Sequence, residues 1–305
     1  MVKPWRSALI HTLLLAVAAH FPGARSFAQS LPSSPSSQIT SNPSVPTKET
    51  FPQFVEMARQ KAIKYVQEMP NFICIQTTKR YLRIPQRPSR TGIMPGEQWA
   101  LEDQIIEELT YFNQKEFYRL LKMERRAGAA LSTEASRGSR STGEYASLLA
   151  SLFQPASRAY FQMEGVEKIS GRKTVRARYR VEQANSDREL KFFLEGNLMR
   201  SIKVAYRGRC WLDMGSGQAV RLELEAIAIP ADFPIARSST TVDYGLVDIA
   251  GTKFWLPVRA EAQLATSSSK DLPEHEKLRE SRNVLEFRDY HRFGADVRIL
   301  YPPPK

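Results

Sequence analysis

The chain has 305 residues, 42% hydrophobic and 25% charged, with 44 lysines and arginines against 32 aspartates and glutamates. Such a composition is that of an ordinary globular protein and excludes a wholly disordered or low-complexity chain; its length allows one large domain or two small ones. The formal charge of +12 supports attraction to anionic surfaces without selecting one.

Met1 to Ala28 opens with Lys3 and Arg6, continues with an apolar run from Ala8 to Phe21, and ends with small residues at Ser26 and Ala28. This pattern predicts a secretory signal peptide. Its removal takes Lys3, Arg6 and Arg25 from the +12 and leaves about +9 on an exported chain, periplasmic or extracellular and soluble after cleavage. Residues 29–48, rich in Ser, Pro, Thr and Asn, read as a linker that cannot bury enough apolar surface to fold alone. A single domain is expected over residues 49–305. It begins with a helix over Glu49 to Gln67, where Phe51, Phe54, Val55, Ala58, Ala62 and Tyr65 recur at three- and four-residue spacing, with Thr50 placed as its cap.

Pro70 ends that helix, and Asn71 to Leu82 reads as the first strand. Gln98 to Phe112 and Glu116 to Glu124 form an expected hairpin around Asn113. Ala127 to Thr142 reads as a loop, leading into a short amphipathic helix over Gly143 to Phe153. Further strands are expected at 159–164, 166–170, 174–183, 189–194 and 198–206, with turns at Gly171 and Gly196.

The clearest pattern lies between Trp211 and Leu264. Val220, Leu222, Leu224 and Ala226 alternate with Arg221, Glu223 and Glu225, which specifies a strand buried on one side. Ser239 to Asp248 and Lys253 to Leu264 continue as a meander around Ala250-Gly251, with Phe254, Leu256, Val258, Ala260, Ala262 and Leu264 assigned to one face. Ser281 to Phe293 and Val297 to Tyr301 supply the closing strands. The expected fold class is α+β: a large curved antiparallel sheet, half-barrel-like, with an N-terminal helix and an inserted short helix.

Chemistry is sparse. Cys74 and Cys210 are the only thiols; each lies inside an expected strand, where it can pair in a disulfide or, as the better reading, stay buried and reduced. Outside the signal segment the histidines are His275 and His291, too few for a metal cluster, so neither a metal nor another cofactor is expected. Met214-Gly215-Ser216-Gly217-Gln218 reads as a tight turn and lacks the spacing of a nucleophile elbow. No nucleophile, base and orienting group can be assembled, and the chain reads as non-enzymatic. Arg176, Arg178 and Arg180 alternate with apolar residues and share one sheet face. They are expected either to pair with acids such as Glu223 and Glu225 or to form an anion-contacting surface. No aromatic interleaving suggests nucleic acid.

Four runs carry a resemblance: Met69-Pro70-Asn71-Phe72-Ile73-Cys74-Ile75-Gln76, Val242-Asp243-Tyr244-Gly245, Phe254-Trp255-Leu256-Pro257-Val258, and Phe287-Arg288-Asp289-Tyr290-His291-Arg292-Phe293. Together they resemble a group of exported bacterial proteins without an assigned function. By order of elements alone, the chain is also similar to the periplasmic lipoprotein-carrier superfamily of LolA-like half-barrels. That second likeness implies a cavity for acyl chains lined by Leu222, Leu224, Phe254, Leu256 and Val258, with residues 127–153 gating entry. Two functions follow as expectations: a carrier or sensor of lipid or lipoprotein, or an envelope interaction module whose apolar face is filled core and whose outer surface meets a partner.

Overall fold

The computed structural model describes residues 45–84, 98–113, 115–125, 147–193, 199–267 and 278–293, all within one compact unit, Asn42–Lys305. The expected signal peptide, most of the linker, the 127–142 loop, His275 and the 297–301 strand lie outside the described residues.

Helix α1, Phe51–Glu68, buries Phe51, Phe54, Val55, Ala58 and Ala62, the stripe its periodicity specifies. Each large side chain on that stripe contributes about 1.5–3 kcal/mol through burial. Thr50 precedes the helix without capping it. Its hydroxyl instead accepts a hydrogen bond from the Thr47 amide at 2.8 Å, so the turn before the helix is what it stabilises. After α1 come β1 (Phe72–Arg83), β2 (Trp99–Phe112), β3 (Lys115–Arg125) and the short helix α2 (Ser147–Phe153). They are followed by β4 (Tyr160–Ile169), β5 (Arg172–Val181), β6 (Glu189–Phe193), β7 (Met199–Lys203) and β8 (Ala205–Asp213). The chain continues through β9 (Ala219–Ile227), β10 (Ile235–Ile249), β11 (Thr252–Ser267) and β12 (Leu278–Arg292).

Ten of these strands form one antiparallel sheet in the order β3-β2-β1-β12-β11-β10-β9-β8-β5-β4; β6 and β7 form a separate pair. The sheet is not closed: β3 and β4 are its edges. The α+β class with an N-terminal and an inserted helix is therefore the observed one. Two hairpins have two-residue loops with both central residues at positive φ, Ser170-Gly171 (49° and 79°) and Ala250-Gly251 (53° and 80°). Such turns match strand twist and favour glycine at the second position.

Three expectations about strands need correction. Residues 159–164 and 166–170 form the single strand β4, in which Met163 faces Ala177 and Gly165 faces Arg176, so Glu164 is accommodated as an extra residue. The strand expected over 198–206 divides at Val204, whose amide bonds to the Arg188 carbonyl, and its halves enter different sheets. In β11, Asp243 of β10 pairs with Arg259 and Tyr244 with Pro257. Val258 is thus the unpaired residue of a bulge and is 37% exposed, whereas its alternation with Leu256 and Ala260 assigned it to the buried face.

One core cluster joins α1 and α2 to the inner face of the sheet through Phe72, Leu109, Leu152, Phe153, Leu222 and Leu256. A second, smaller cluster of Leu190, Val204, Ala226, Phe233 and Ile235 seats the β6–β7 pair. Cys74 and Cys210 are fully buried and unbridged, on strands separated in the sheet by β12, β11, β10 and β9. The disulfide alternative is thereby corrected, and burial raises the Cys210 thiol pKa. Alkylation in denaturant without reductant should add two labels, and the folded protein should add none. An unlabelled denatured chain would restore the bridge.

Gly208 sits where a side chain has no room within the sheet. It lies between Tyr179 on β5 and Leu224 on β9, and the Tyr179 hydroxyl donates past it to the Glu223 carbonyl at 2.5 Å. A Cβ at position 208 would lie 1.8 Å from that carbonyl oxygen. Gly208→Ala should therefore destabilise the protein by about 3 kcal/mol in urea unfolding, the upper range for overpacking. A change below about 0.5 kcal/mol, typical of a surface substitution, would contradict this packing.

Candidate functional site

Two surfaces and one buried polar cluster hold the groups available for function. Of the residues assigned to an acyl-chain cavity, Leu222, Leu224 and Leu256 lie deep in the main core, with Leu222 1% and Leu256 0% exposed. Phe254 packs partly buried against them, whereas Val258 is outside. The structure brings the first four together with α1 and α2. Helix α2 is fixed by side chains that satisfy its carbonyls. Tyr206 Oη donates to Ser151 O at 3.0 Å, Arg59 to Phe153 O at 2.9 Å and Ser157 Oγ to Leu152 O at 2.8 Å. Ser151 Oγ in turn donates to Asp187 at 2.9 Å.

Toward β2 the inner face becomes polar. Arg80 makes a two-pronged pair with Asp103 at 2.7 and 2.5 Å, both residues buried, and this bond raises the guanidinium pKa. Gln76 donates to Thr78 and Glu107 nearby. Sequence reading missed this cluster because Gln76, Thr78 and Arg80 alternate like the outer face of a half-exposed strand; what buries them is tertiary.

The edge strand β3 is the other feature that sequence reading missed. Phe117, Leu120, Leu121 and Met123 are 37–58% exposed, beside exposed Leu101 and Phe112 on β2. Within this rim Tyr118, opposite Leu109, packs against the main core, whereas Leu120 stands opposite Glu107 of the polar cluster and Phe117 opposite Thr110. The adjacent Leu120-Leu121 was an available signal: apolar residues at both parities of a two-residue period cannot all be buried on one face.

Arg176, Arg178 and Arg180 share the outer face as expected, but with other partners. The strand beside β5 is β8, not β9, so the residues opposite Arg178 and Arg180 are Arg209 and Arg207. Arg176 pairs with Glu164 at 3.2 Å and Glu167 at 3.0 Å, and Arg180 with Glu182 at 2.5 Å. Arg178 donates to the neutral Gln162. Glu225 and Glu223 are engaged instead by Arg207 at 2.9 Å and Arg209 at 3.9 Å. Burial raises the Glu223 pKa against the pull of Arg209 and Arg221. Trp211 Nε1 donates to Glu167 at 2.6 Å, and that bond, with Arg176 beside it, lowers the Glu167 pKa.

The Met214 to Gln218 segment is a turn. Asp213 Oδ1 accepts from the Ser216 amide and hydroxyl, each at 2.8 Å, and from the Gly215 amide at 3.2 Å. Burial works to raise the Asp213 pKa, but these bonds and Arg172 outweigh it and hold it below its ordinary value of 3.8. A folded-state pKa below the unfolded one stabilises above the unfolded value, and the gain is lost as pH falls through the folded value. Asp213→Asn should therefore cost about 1 kcal/mol near neutrality. The difference from the unchanged protein should vanish well below pH 3.8. A pH-independent difference would contradict the assignment. Among the described residues no group of three or more His, Cys, Asp or Glu is placed to hold a metal ion. No described helix is long and apolar enough to cross a membrane.

No protein-family model and no curated protein matches the chain. Among solved structures it is similar to a DUF1329 family protein from Desulfovibrio piger, at 8% identity and TM-score 0.33, covering 80% of this chain and 94% of that one. It is also similar to a LolA superfamily protein from Nitrosomonas europaea, at 11% identity and TM-score 0.28, covering 82% and 97%. A third is Mycobacterium tuberculosis lipoprotein LppX, at 11% and 0.25, covering 78% and 95%.

Proposed function

We propose that the protein is an exported, non-enzymatic carrier or sensor of lipid or of lipoprotein acyl chains, working in the cell envelope. The observation that carries the reading is the exposed apolar rim on β3 at the edge of an open sheet, with Tyr118 of the same strand packed on the core. β3 carries the charges that ordinarily blunt an edge strand, Lys115, Glu116, Arg119, Lys122, Glu124 and Arg125, yet large apolar side chains stay exposed between them, and an exposed apolar patch marks an interaction or ligand surface. An acyl chain would first meet Leu120, Leu121 and Met123. It would then reach the face holding Leu222, Leu224, Phe254 and Leu256 by displacing the helical cover, with α2 as the smaller element to lift.

A second reading, an interaction module with a filled core, is favoured by the near-complete burial of Leu222 and Leu256 against the rest of the cluster. The rim separates the two. Leu120→Gln with Leu121→Gln changes exposed side chains and should leave folding within about 0.5 kcal/mol of the unchanged protein. On the carrier reading the unchanged protein takes up a fluorescent fatty acid, and the double variant binds it at least tenfold more weakly. Absence of uptake by either protein would return the inner face to the role of simple core, and equal uptake by both would overturn the rim as its entrance.

A further inference from the structure

We propose that the outer face of the sheet at β5 and β8 is a binding site for a phosphate group, independent of whether the inner face takes a lipid. A groove of about 710 Å³ crosses β4, β5, β8, β9 and β10, and its lining includes five arginines, Arg178, Arg180, Arg207, Arg209 and Arg237, against three glutamates. Register makes the arrangement unusual. Arg178 stands directly opposite Arg209, and Arg180 directly opposite Arg207, two like-charged cross-strand pairs side by side. Cβ atoms in such pairs are about 4.5–5.5 Å apart, and like charges at that spacing destabilise a sheet.

Acids face four of these five arginines. Glu164 and Glu223 serve Arg209, Glu225 serves Arg207, Arg237 lies 3.7 Å from Glu280, and Arg180 turns to Glu182. The polar partner of Arg178 is the Gln162 carbonyl oxygen, which brings no charge. Arg178, Arg180, Arg207 and Arg209 therefore line one groove, and Arg178 is the one whose partner there carries no compensating charge.

A ligand that relieves this must be anionic and must accept from several forked donors at once. Guanidinium groups bind phosphate through paired parallel hydrogen bonds, and a phosphate has oxygens enough to bridge Arg178 and Arg209 together, more than one carboxylate offers. Ser239 and Thr241, in register with Glu225 and Glu223, add hydroxyls along the far wall. The strongly exposed Tyr160, opposite Arg180, adds another at the β4 edge. The same chemistry is presented by a soluble phosphate compound and by an anionic phospholipid headgroup.

The test compares the unchanged full chain with Arg178→Gln and, as a control for net charge, with Lys61→Gln, a change on the exposed side of α1. Two probes are used at low salt: inorganic phosphate, read by the shift in melting temperature against chloride, and vesicles of phosphatidylglycerol or phosphatidylcholine, read by co-sedimentation. Phosphate or phosphatidylglycerol should bind the unchanged protein and the control alike, and should bind Arg178→Gln about tenfold more weakly, the loss of one charge-assisted contact. Without anion, Arg178→Gln should melt above the unchanged protein because one like-charged pair is gone. A response to phosphate itself identifies a soluble ligand; a response to vesicles alone identifies a headgroup. Equal loss in Arg178→Gln and Lys61→Gln, or no preference of the unchanged protein for either anion, overturns the site.

Discussion

A ten-stranded sheet with one apolar face and two free edges has to be covered, and the rest of this structure follows from how that is done. Sheets this wide curl, split or close, and this one stays open. Helix α1 supplies the main cover, with an apolar stripe that matches the inner face, and α2 extends it through Leu148, Leu149, Leu152 and Phe153. The polar bonds to α2 come from side chains on α1, on β8 and around the 3-10 turn Pro155–Ser157, so its position depends on several elements at once. At the β3 edge Tyr118 packs on the core while Phe117, Leu120, Leu121 and Met123 stay exposed, and the carrier reading rests on that rim.

The two faces of the sheet use their residues oppositely. Inside, charge is tolerated where it is fully paired, as at Arg80 and Asp103. Breaking a pair that is so buried costs about 3–5 kcal/mol, because the remaining charge has no water to turn to. Outside, arginines and glutamates form a lattice of exposed pairs, each contributing at most about 1 kcal/mol. An exposed lattice can afford an imbalance that a buried one cannot, and the imbalance falls at Arg178.

Much of this was legible in the sequence. The strict alternation of β9 marked a strand buried on one side, and Val220, Leu222, Leu224 and Ala226 are buried, with Ala219 at its start buried as well. Local chemistry was legible too, in the glycines at 171 and 251 that allow two-residue hairpin turns. What was not legible depends on which strands become neighbours. A bulge moves Val258 from the inner to the outer side, an effect that the β11 sequence by itself does not encode, since it arises from pairing with β10. The partners of Arg178 and Arg180 depend on β8 lying next to β5, which the alternation within β5 cannot specify. The burial of Gln76, Thr78 and Arg80, and the exposure of Leu120 and Leu121, likewise reflect place in the sheet rather than local pattern.

On the carrier reading the covered apolar face serves an amphiphile and is not filled core alone. The most direct measurement is the mass of the protein purified without organic solvent, taken in native mode and again after solvent extraction. The expected result is a phospholipid or other acyl species at close to one per chain that extraction removes. A bare protein mass in repeated preparations would contradict the claim and leave the outer surface as the seat of function.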